Sequence, residues 1–283
     1  MHFEKPLQAP VSPSVLSSAG FTTALPFNHS TWLRSNDLDA ATESLVSHIE
    51  ERQFSAMGGA PVDVHFTLQK LPQMHLFGAQ FGSRIQVKSS PLQSWHGILP
   101  LCGAVTSRGR NHQVAASGQL IMFTPGHEVD VVWEASTQAV VITLENSLLM
   151  DHLLHHHQVE LPSVPPQACV IDARHPSMLS LNNLLRLLDQ ETRNTHSLFN
   201  NAICRGQIQN LFCENLLSLI PCLNTLPQRS LLPGSVKRAV EYIQSNLDQP
   251  LTMDQLVLVA GVSRRSLEQA FRNTLETSPQ RYI

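Results

Sequence analysis

The feature that most constrains this chain is a change of hydrophobic period partway along it. Between Val62 and Leu144, short runs alternate apolar with polar residues, as in Val62-Asp63-Val64-His65-Phe66-Thr67-Leu68 and Ile85-Gln86-Val87. A period of two places neighbouring side chains on opposite faces, so these runs predict half-buried strands. After Leu144 that pattern stops, and apolar residues recur at three and four, the period of an amphipathic helix. Turn-forming groups punctuate the first region. Ser107-Arg108-Gly109-Arg110-Asn111 predicts a hairpin between strands near 99–105 and 113–115. Ser117-Gly118, Thr124-Pro125-Gly126 and Ala135-Ser136-Thr137 close further strands at 119–123, 129–133 and 139–144. Many short strands at roughly ten-residue spacing predict a small sandwich or barrel.

The flanks are helical. A Ser/Pro-rich arm leads into a helix over 38–49, with Leu38, Ala41, Leu45, Val46 and Ile49 on one face. Pro162, Pro165 and Pro166 mark a linker, followed by helices over 178–189 and 198–220. In the second of these, Phe199, Ala202, Ile203, Ile208, Leu211, Phe212, Leu216 and Leu219 make an apolar face wide enough to require a partner. That partner is the other helix, the β module or a second copy of the chain. A second proline-bearing linker, 221–234, sets off the last fifty residues. The fold class expected is α+β, divided into an arm and helix (1–52), a β module (53–150), a helical linker or dimerisation region (151–228) and an all-α unit (229–283). No window of eighteen apolar residues and no secretory leader is seen, so the expectation is a cytoplasmic protein with no membrane partner. The five cysteines, Cys102, Cys169, Cys204, Cys213 and Cys222, lack C-x-x-C spacing and are expected to be reduced core thiols.

In the last segment, residues 235–247 form a helical pattern that ends at Gln249-Pro250, with Val236, Ala239, Val240, Ile243 and Leu247 on one face. Thr252-Met253-Asp254-Gln255 has capping-box spacing and starts a short helix that stops at Gly261. Ser263 is placed to cap the next helix, 264–275. Helix, Gly-Val-Ser turn and helix together make a helix-turn-helix signature. Leu256, Val259, Ala260, Val262, Leu267, Ala270 and Phe271 are the expected core, which leaves Arg264, Arg265, Glu268, Gln269 and Arg272 outward. Arg and Gln suit guanine and adenine edges, Glu268 suits a cytosine amine, and Arg272 suits phosphate. The chain as a whole carries a net charge of −3, so nucleic-acid binding has to be local. From Arg229 onward, seven basic residues stand against five acidic ones.

The stretch SVKRAVEYIQSNLDQPLTMDQLVLVAGVSRRSLEQAFRNTLETSPQRYI resembles the first helix-turn-helix of the AraC/XylS transcription regulators, in its Ala-Gly-Val-Ser-Arg-Arg-Ser-Leu turn, Phe271, Ser278-Pro279 and Tyr282. Leu99-Pro100-Leu101-Cys102-Gly103 and Ile121-Met122-Phe123-Thr124-Pro125-Gly126, with Val131-Val132-Trp133 and Val140-Val141-Ile142, resemble the cupin-like effector and dimerisation domain of the XylS branch. The resemblance implies a cupin-like sensor and a DNA-binding surface made of Ser263, Arg264, Arg265, Glu268, Gln269 and Arg272, with base contacts carried over to Arg265, Glu268 and Gln269. It also implies promoter DNA, a small-molecule effector such as an aromatic acid, RNA polymerase and a homodimeric twin as partners. Family members carry two helix-turn-helix units. This sequence reaches Ile283 just after Ser278-Pro279, at the start of the connecting helix, so the second unit is expected to be missing and DNA binding to be weak at physiological salt. A partial regulator that only pairs with and inhibits other regulators is the alternative.

A metal-dependent cupin enzyme is a remote third reading. Such a site needs a His-x-His pair followed by Glu and a later His. His65, His75, His96, His112 and His127 lack that spacing, so neither enzyme activity, nor a cofactor, nor a metal site is expected. His152 and His156 share one helical face and can bind a transition ion, but a solvated helix end is the expectation. Trp95, Trp133, Phe66, Phe77 and Phe123 are candidates to line an effector pocket, and Arg84 and His96 to meet an anionic effector. No single pocket residue is assigned.

Overall fold

A computed structural model of the chain describes residues 25–46, 50–109, 112–157, 166–220, 223, 233–246, 251–275 and 277–282. The chain divides into two compact units, Met1–Leu226 and Pro227–Ile283. The first is built on two antiparallel sheets. One has seven strands in the order β1 (Thr31–Ser35), β3 (Val64–Leu71), β4 (Met74–Gln80), β11 (Gln138–Glu145), β6 (Ser94–Cys102), β9 (Leu120–Phe123) and β12 (Ala168–Ile171). The other has five, in the order β2 (Arg52–Ala56), β5 (Ile85–Pro91), β10 (Glu128–Trp133), β7 (Ala104–Ser107) and β8 (Gln113–Ala116). The sheets form the expected cupin-like α+β framework as a sandwich; they do not close into one continuous barrel.

The middle of the seven-stranded sheet is buried on both faces. Along β11, Ala139 and Val141 enter the core between the sheets, whereas Val140, Ile142 and Leu144 enter a second core on the other side. The neighbouring strands divide in the same way: Ile98 and Ile121 face one core, Leu99 and Met122 the other. The second core is closed by α2 (Asn146–His152), α3 (Pro176–Glu191) and α4 (Ala202–Leu219), through Met178, Leu181, Leu185, Phe212 and Leu216. The helical segment is thus continuous with the β module. The wide apolar face of α4 splits: Ile208, Phe212, Leu216 and Leu219 are buried, whereas Ile203 and Leu211 are exposed. In front of β2, α1 (Leu38–Val46) puts Ala41 and Leu45 into the core between the sheets. Ile49 lies outside the described residues.

The hairpin forms with Ser107 opposite Gln113; Arg110 and Asn111 of its turn lie outside the described residues. The strand expected over 99–105 is two strands in different sheets, broken at Gly103. That residue has φ +72°, and a Cβ there would stand 2.5 Å from Thr137 Oγ1. Only glycine fits the bend that carries the chain from β6 to β7. β1, β2 and β4 carry too little alternation to stand out. The strand pattern also resumes once past Leu144, since β12 pairs with β9 from Ala168 to Ile171. Of the four described cysteines, Cys213 is buried in a core, Cys169, half-buried, packs against the same core, Cys204 is half-buried and Cys102 is exposed, and none of the four is disulfide-bonded. Cys222, Pro162, Pro165 and most of the 221–234 linker lie outside the described residues. No helix among the described residues is long and apolar enough to cross a membrane.

The second unit packs α5 (Gly234–Ser245), α6 (Met253–Ala260), α7 (Arg264–Leu275) and α8 (Pro279–Tyr282) around Val236, Val240, Ile243, Leu256, Leu267 and Phe271. Val262 and Ala270 pack against this core, while Val259 is half-buried outside it. Leu247, Gln249 and Pro250 lie outside the described residues.

One polar tie crosses the helical core. Phe27, fully buried, adopts φ +60°, a conformation that costs a bulky residue on the order of 1–3 kcal/mol. Its N–H donates to Asp189 Oδ1 at 2.6 Å, and Arg193 Nη2 donates to Oδ2 at 2.8 Å. Asp189→Ala leaves that buried amide without an acceptor, and urea denaturation should show a loss of about 2–3 kcal/mol. Asp189→Asn keeps the acceptor and should lose roughly half as much.

Candidate nucleic-acid interface and ligand chamber

The turn between α6 and α7 is assembled from local chemistry. Thr252 Oγ1 accepts the Gln255 N–H at 3.4 Å and Gln255 Oε1 accepts the Thr252 N–H at 2.9 Å, completing the capping box. Gly261, at φ +65°, ends α6 in the left-handed region that favours glycine. Ser263 Oγ accepts the Ser266 N–H at 3.2 Å and starts α7. Arg238 of α5 donates to the carbonyls of Val259 and Ala260, satisfying the last turn of α6. Its role as a brace is invisible in the sequence, where it is one basic residue on the outer side of a helix. Ser278 Oγ accepts the Arg281 N–H at 3.3 Å, Pro279 begins α8, and the Tyr282 ring meets Phe271 edge-on at 5.9 Å.

With Leu267 and Phe271 buried, α7 turns the remaining candidates to its outer side. Ser263, Arg264, Arg265, Gln269 and Arg272 are exposed and Glu268 is half-buried. Arg264 Nε donates to Glu268 Oε1 at 3.1 Å, so these two offset one another's charge. Gln269 Nε2 donates to Asn273 Oδ1 at 2.9 Å; Asn273 is an exposed neighbour that the sequence reading passed over. Arg265 and Arg272 make no hydrogen bond or ion pair with any described residue. Positions 265, 269 and 272 follow i, i+4, i+7 spacing and share one face.

The first unit holds a chamber between its sheets, with about 50 Å³ of free space, enough for a few water molecules. Of the candidates, Phe66, Phe77, Trp133 and His96 line it, joined by Arg52, Phe54 and Phe81. Phe123 lies in the same core but off the chamber, and Trp95 faces the helical core with its Nε1 donating to Asn146 Oδ1 at 2.9 Å. Arg84 is not at the chamber; it pairs with Glu134 at 3.3 Å, and both side chains are about half exposed. Arg52 was missed because β2 lies ahead of the alternating region.

The polar end of the chamber is charged and tightly held. Glu50 Oε1 accepts the Gln93 N–H at 2.7 Å, the Ser94 N–H at 3.0 Å and the Ser94 hydroxyl at 2.8 Å. Burial alone would raise the Glu50 pKa, but its hydrogen bonds outweigh that and bring it down to about 2. Arg52, 3% exposed, sets Nη2 at 3.5 Å from Glu50 Oε2, while its Nη1 donates to the Glu50 and Glu51 carbonyls. Burial, then the Arg52 charge, push the His96 pKa far down, so this imidazole is neutral. Arg52 Nη2 and Glu50 Oε2 face each other as an ion pair too long for a hydrogen bond, and His96 Nδ1 and Trp133 Nε1 have no hydrogen-bond partner among the described residues. Apolar walls with the Trp133 N–H, the His96 imidazole and the edge of the Arg52 guanidinium at one end suit a ligand that has an apolar body and a polar head.

His65, His75, His96 and His127 do not converge with other ligand types into a metal set among the described residues, and His112 is exposed. The expectation of a solvated helix end fails at His152, whose side chain is 2% exposed and faces Glu214 of α4.

Comparison with known proteins places this geometry. The AraC-binding-like domain matches residues 51–217, and the bacterial regulatory helix-turn-helix of the AraC family matches residues 243–283. The XylDLEGF operon transcriptional activator of Pseudomonas putida is 24% identical over 211 residues, covering 72% of this chain and 62% of that protein. The probable thc operon regulatory protein of Rhodococcus erythropolis is 46% identical over 52 residues, which is 18% of this chain and 16% of that one. The chain therefore spans less than two thirds of the length of these relatives. The crystal structure of the AraC-like transcriptional activator CuxR has the same fold, with TM-score 0.50 at 14% identity over 86% of this chain and 89% of that one. With one family domain covering more than half of its length and a second following it, this chain belongs to the AraC family of regulatory proteins.

Proposed function

We propose that this chain is a sequence-specific DNA-binding transcription regulator of the AraC/XylS type, in which α7 enters the major groove and a small molecule binds the chamber between the sheets. The observation that carries the reading is the exposed face of Arg265, Gln269 and Arg272 on a helix already capped and braced for docking. Arg265 and Gln269, in the first two turns, are assigned to base edges, and Arg272, further along, to phosphate. Ser263 and the Arg264–Glu268 pair flank them as the remaining contacts. The net charge of −3 means that this helix, rather than a general basic surface, has to supply the attraction. The division at 53–150, 151–228 and 229–283 is kept as a functional one, into sensor, helical dimerisation region and reader. Leu179 and Ile203, exposed on α3 and α4, support a homodimer through the helical region. The working compartment is the cytoplasm, where promoter DNA and RNA polymerase are met.

The chamber gives the regulation a physical form. With about 50 Å³ free, it is too small for a metabolite-sized ligand, which needs several hundred. Entry of an effector therefore has to displace part of the lining, and it shifts the population toward a displaced state. The Trp133 N–H, with the Arg52 guanidinium that an effector would share with Glu50, favours an effector with an acceptor head, such as a small aromatic acid.

Two experiments test this. In binding assays on a promoter panel, Arg265→Ala or Gln269→Ala should relax base preference by about 1–3 kcal/mol at one position, while Arg272→Ala should weaken all sequences alike and lower the salt slope by about one. If all three variants bind like the parent, α7 is not the reader. In a thermal-shift screen, aromatic acids should raise Tm and neutral aromatics of the same size should do so less. Arg52→Gln should abolish the difference, and an unchanged preference in that variant would remove Arg52 from the effector site.

A further inference from the structure

Where α2 runs into a π-turn, Leu153–His157, two histidines converge on one glutamate of α4. His152 Nε2 lies 2.9 Å and His157 Nε2 2.8 Å from the same oxygen, Glu214 Oε1. In an α-helix a residue five positions on lies roughly 140° round the axis. The wider π-turn brings His157 back over His152. On the facing helix, Asn210 and Glu214 are i, i+4 neighbours, and Asn210 Oδ1 lies 3.2 Å from His152 Nδ1.

This arrangement is awkward for a neutral His152. With its proton on Nδ1, it donates to Asn210 and turns an Nε2 lone pair toward the Glu214 carboxylate. With the proton on Nε2, it donates to Glu214 and turns a lone pair toward the Asn210 oxygen. A cation bound among the three ligand atoms removes the conflict: Nδ1–H donates to Asn210, and the Nε2 lone pair faces the ion. An outer partner on the far nitrogen is how proteins fix the tautomer and ring plane of a metal-binding histidine.

We propose that His152, His157 and Glu214 form a binding site for a divalent transition ion of the zinc class, with two imidazole nitrogens and one carboxylate oxygen as ligands and a fourth position for water. The donor set is the borderline nitrogen and oxygen type that such ions prefer. All three ligand atoms lie within 4.8 Å of one another. Tetrahedral coordination at 2.0–2.1 Å needs ligand separations of about 3.3 Å, so the two imidazole nitrogens, which lie up to 4.8 Å apart, have to draw together by up to about 1.5 Å, and Glu214 has to withdraw by about half an ångström. Its side chain, 48% exposed, has that freedom. The ion would staple the π-turn to α4.

The test uses the full chain, stripped with chelator and titrated at neutral pH with Zn²⁺ by calorimetry and with Co²⁺ by visible absorption. One site per chain with the bands of four-coordinate Co²⁺ is expected, and Zn²⁺ should raise Tm. His157→Gln and Glu214→Gln, both at partly exposed positions, should each weaken binding at least about tenfold and abolish the Tm rise. Asn210→Ala should cost about tenfold while leaving the Co²⁺ bands in place. His155→Gln, exposed and, among the described residues, bonded only to the Asp151 carbonyl, should bind like the parent. The proposal is overturned if His157→Gln binds as the parent does, or if His155→Gln loses as much as His157→Gln, which is the behaviour of a loose histidine run. Histidine NMR showing a doubly protonated His152 that takes up no metal overturns it too, because the conflict is then relieved by a proton.

Discussion

The first unit depends on a sheet that is apolar on both faces. β11 separates two cores, and each side chain along it belongs to one or the other: Val141 to the space between the sheets, Val140 and Ile142 to the space under the helices. A sheet of this kind cannot stand in water on either side. The five-stranded sheet has to cover one face and α2, α3 and α4 the other, so the helices are as much a part of the folded unit as the strands. A one-residue slip of β11 would exchange the two cores, and its full pairing with β4 and β6 specifies the register against that slip.

Within those apolar layers a few polar groups set the functional detail. Burying charge is unfavourable unless each charged group finds partners, and the partners decide where the group sits. Glu50 is held by the Gln93 and Ser94 amides and in turn holds Arg52 at the chamber wall. Asp189 holds the strained Phe27 backbone under the helices. Satisfaction stops short at His96 Nδ1, Trp133 Nε1 and the long Arg52–Glu50 ion pair, which is why the chamber has a polar end and is more than a packing defect.

The second unit follows a different logic. It is small, and its key turn is specified by neighbours in sequence: a capping box, a glycine in the left-handed region and a serine cap. Because local contacts build the turn and Leu267 and Phe271 bury one side of α7, the other side is left free for recognition. The Arg264–Glu268 pair reduces the free positive charge on that face to Arg265 and Arg272.

The sequence by itself determined a β module of short strands, sandwich or barrel, the amphipathic helices, the α6–α7 turn and the outward set Ser263, Arg264, Arg265, Glu268, Gln269 and Arg272. Each of these follows from residues within one or two turns or strands of one another, where hydrophobic period and capping chemistry act. Only the tertiary structure decided that β12 returns to the sheet after the helical pattern begins, that Arg52 rather than Arg84 meets the chamber, and that Trp95 and Phe123 stay off it. It also decided that His152 is buried against Glu214, 62 residues away. Those placements depend on which face of one element packs on another, and no local period encodes the distance between two segments brought together by a shared core.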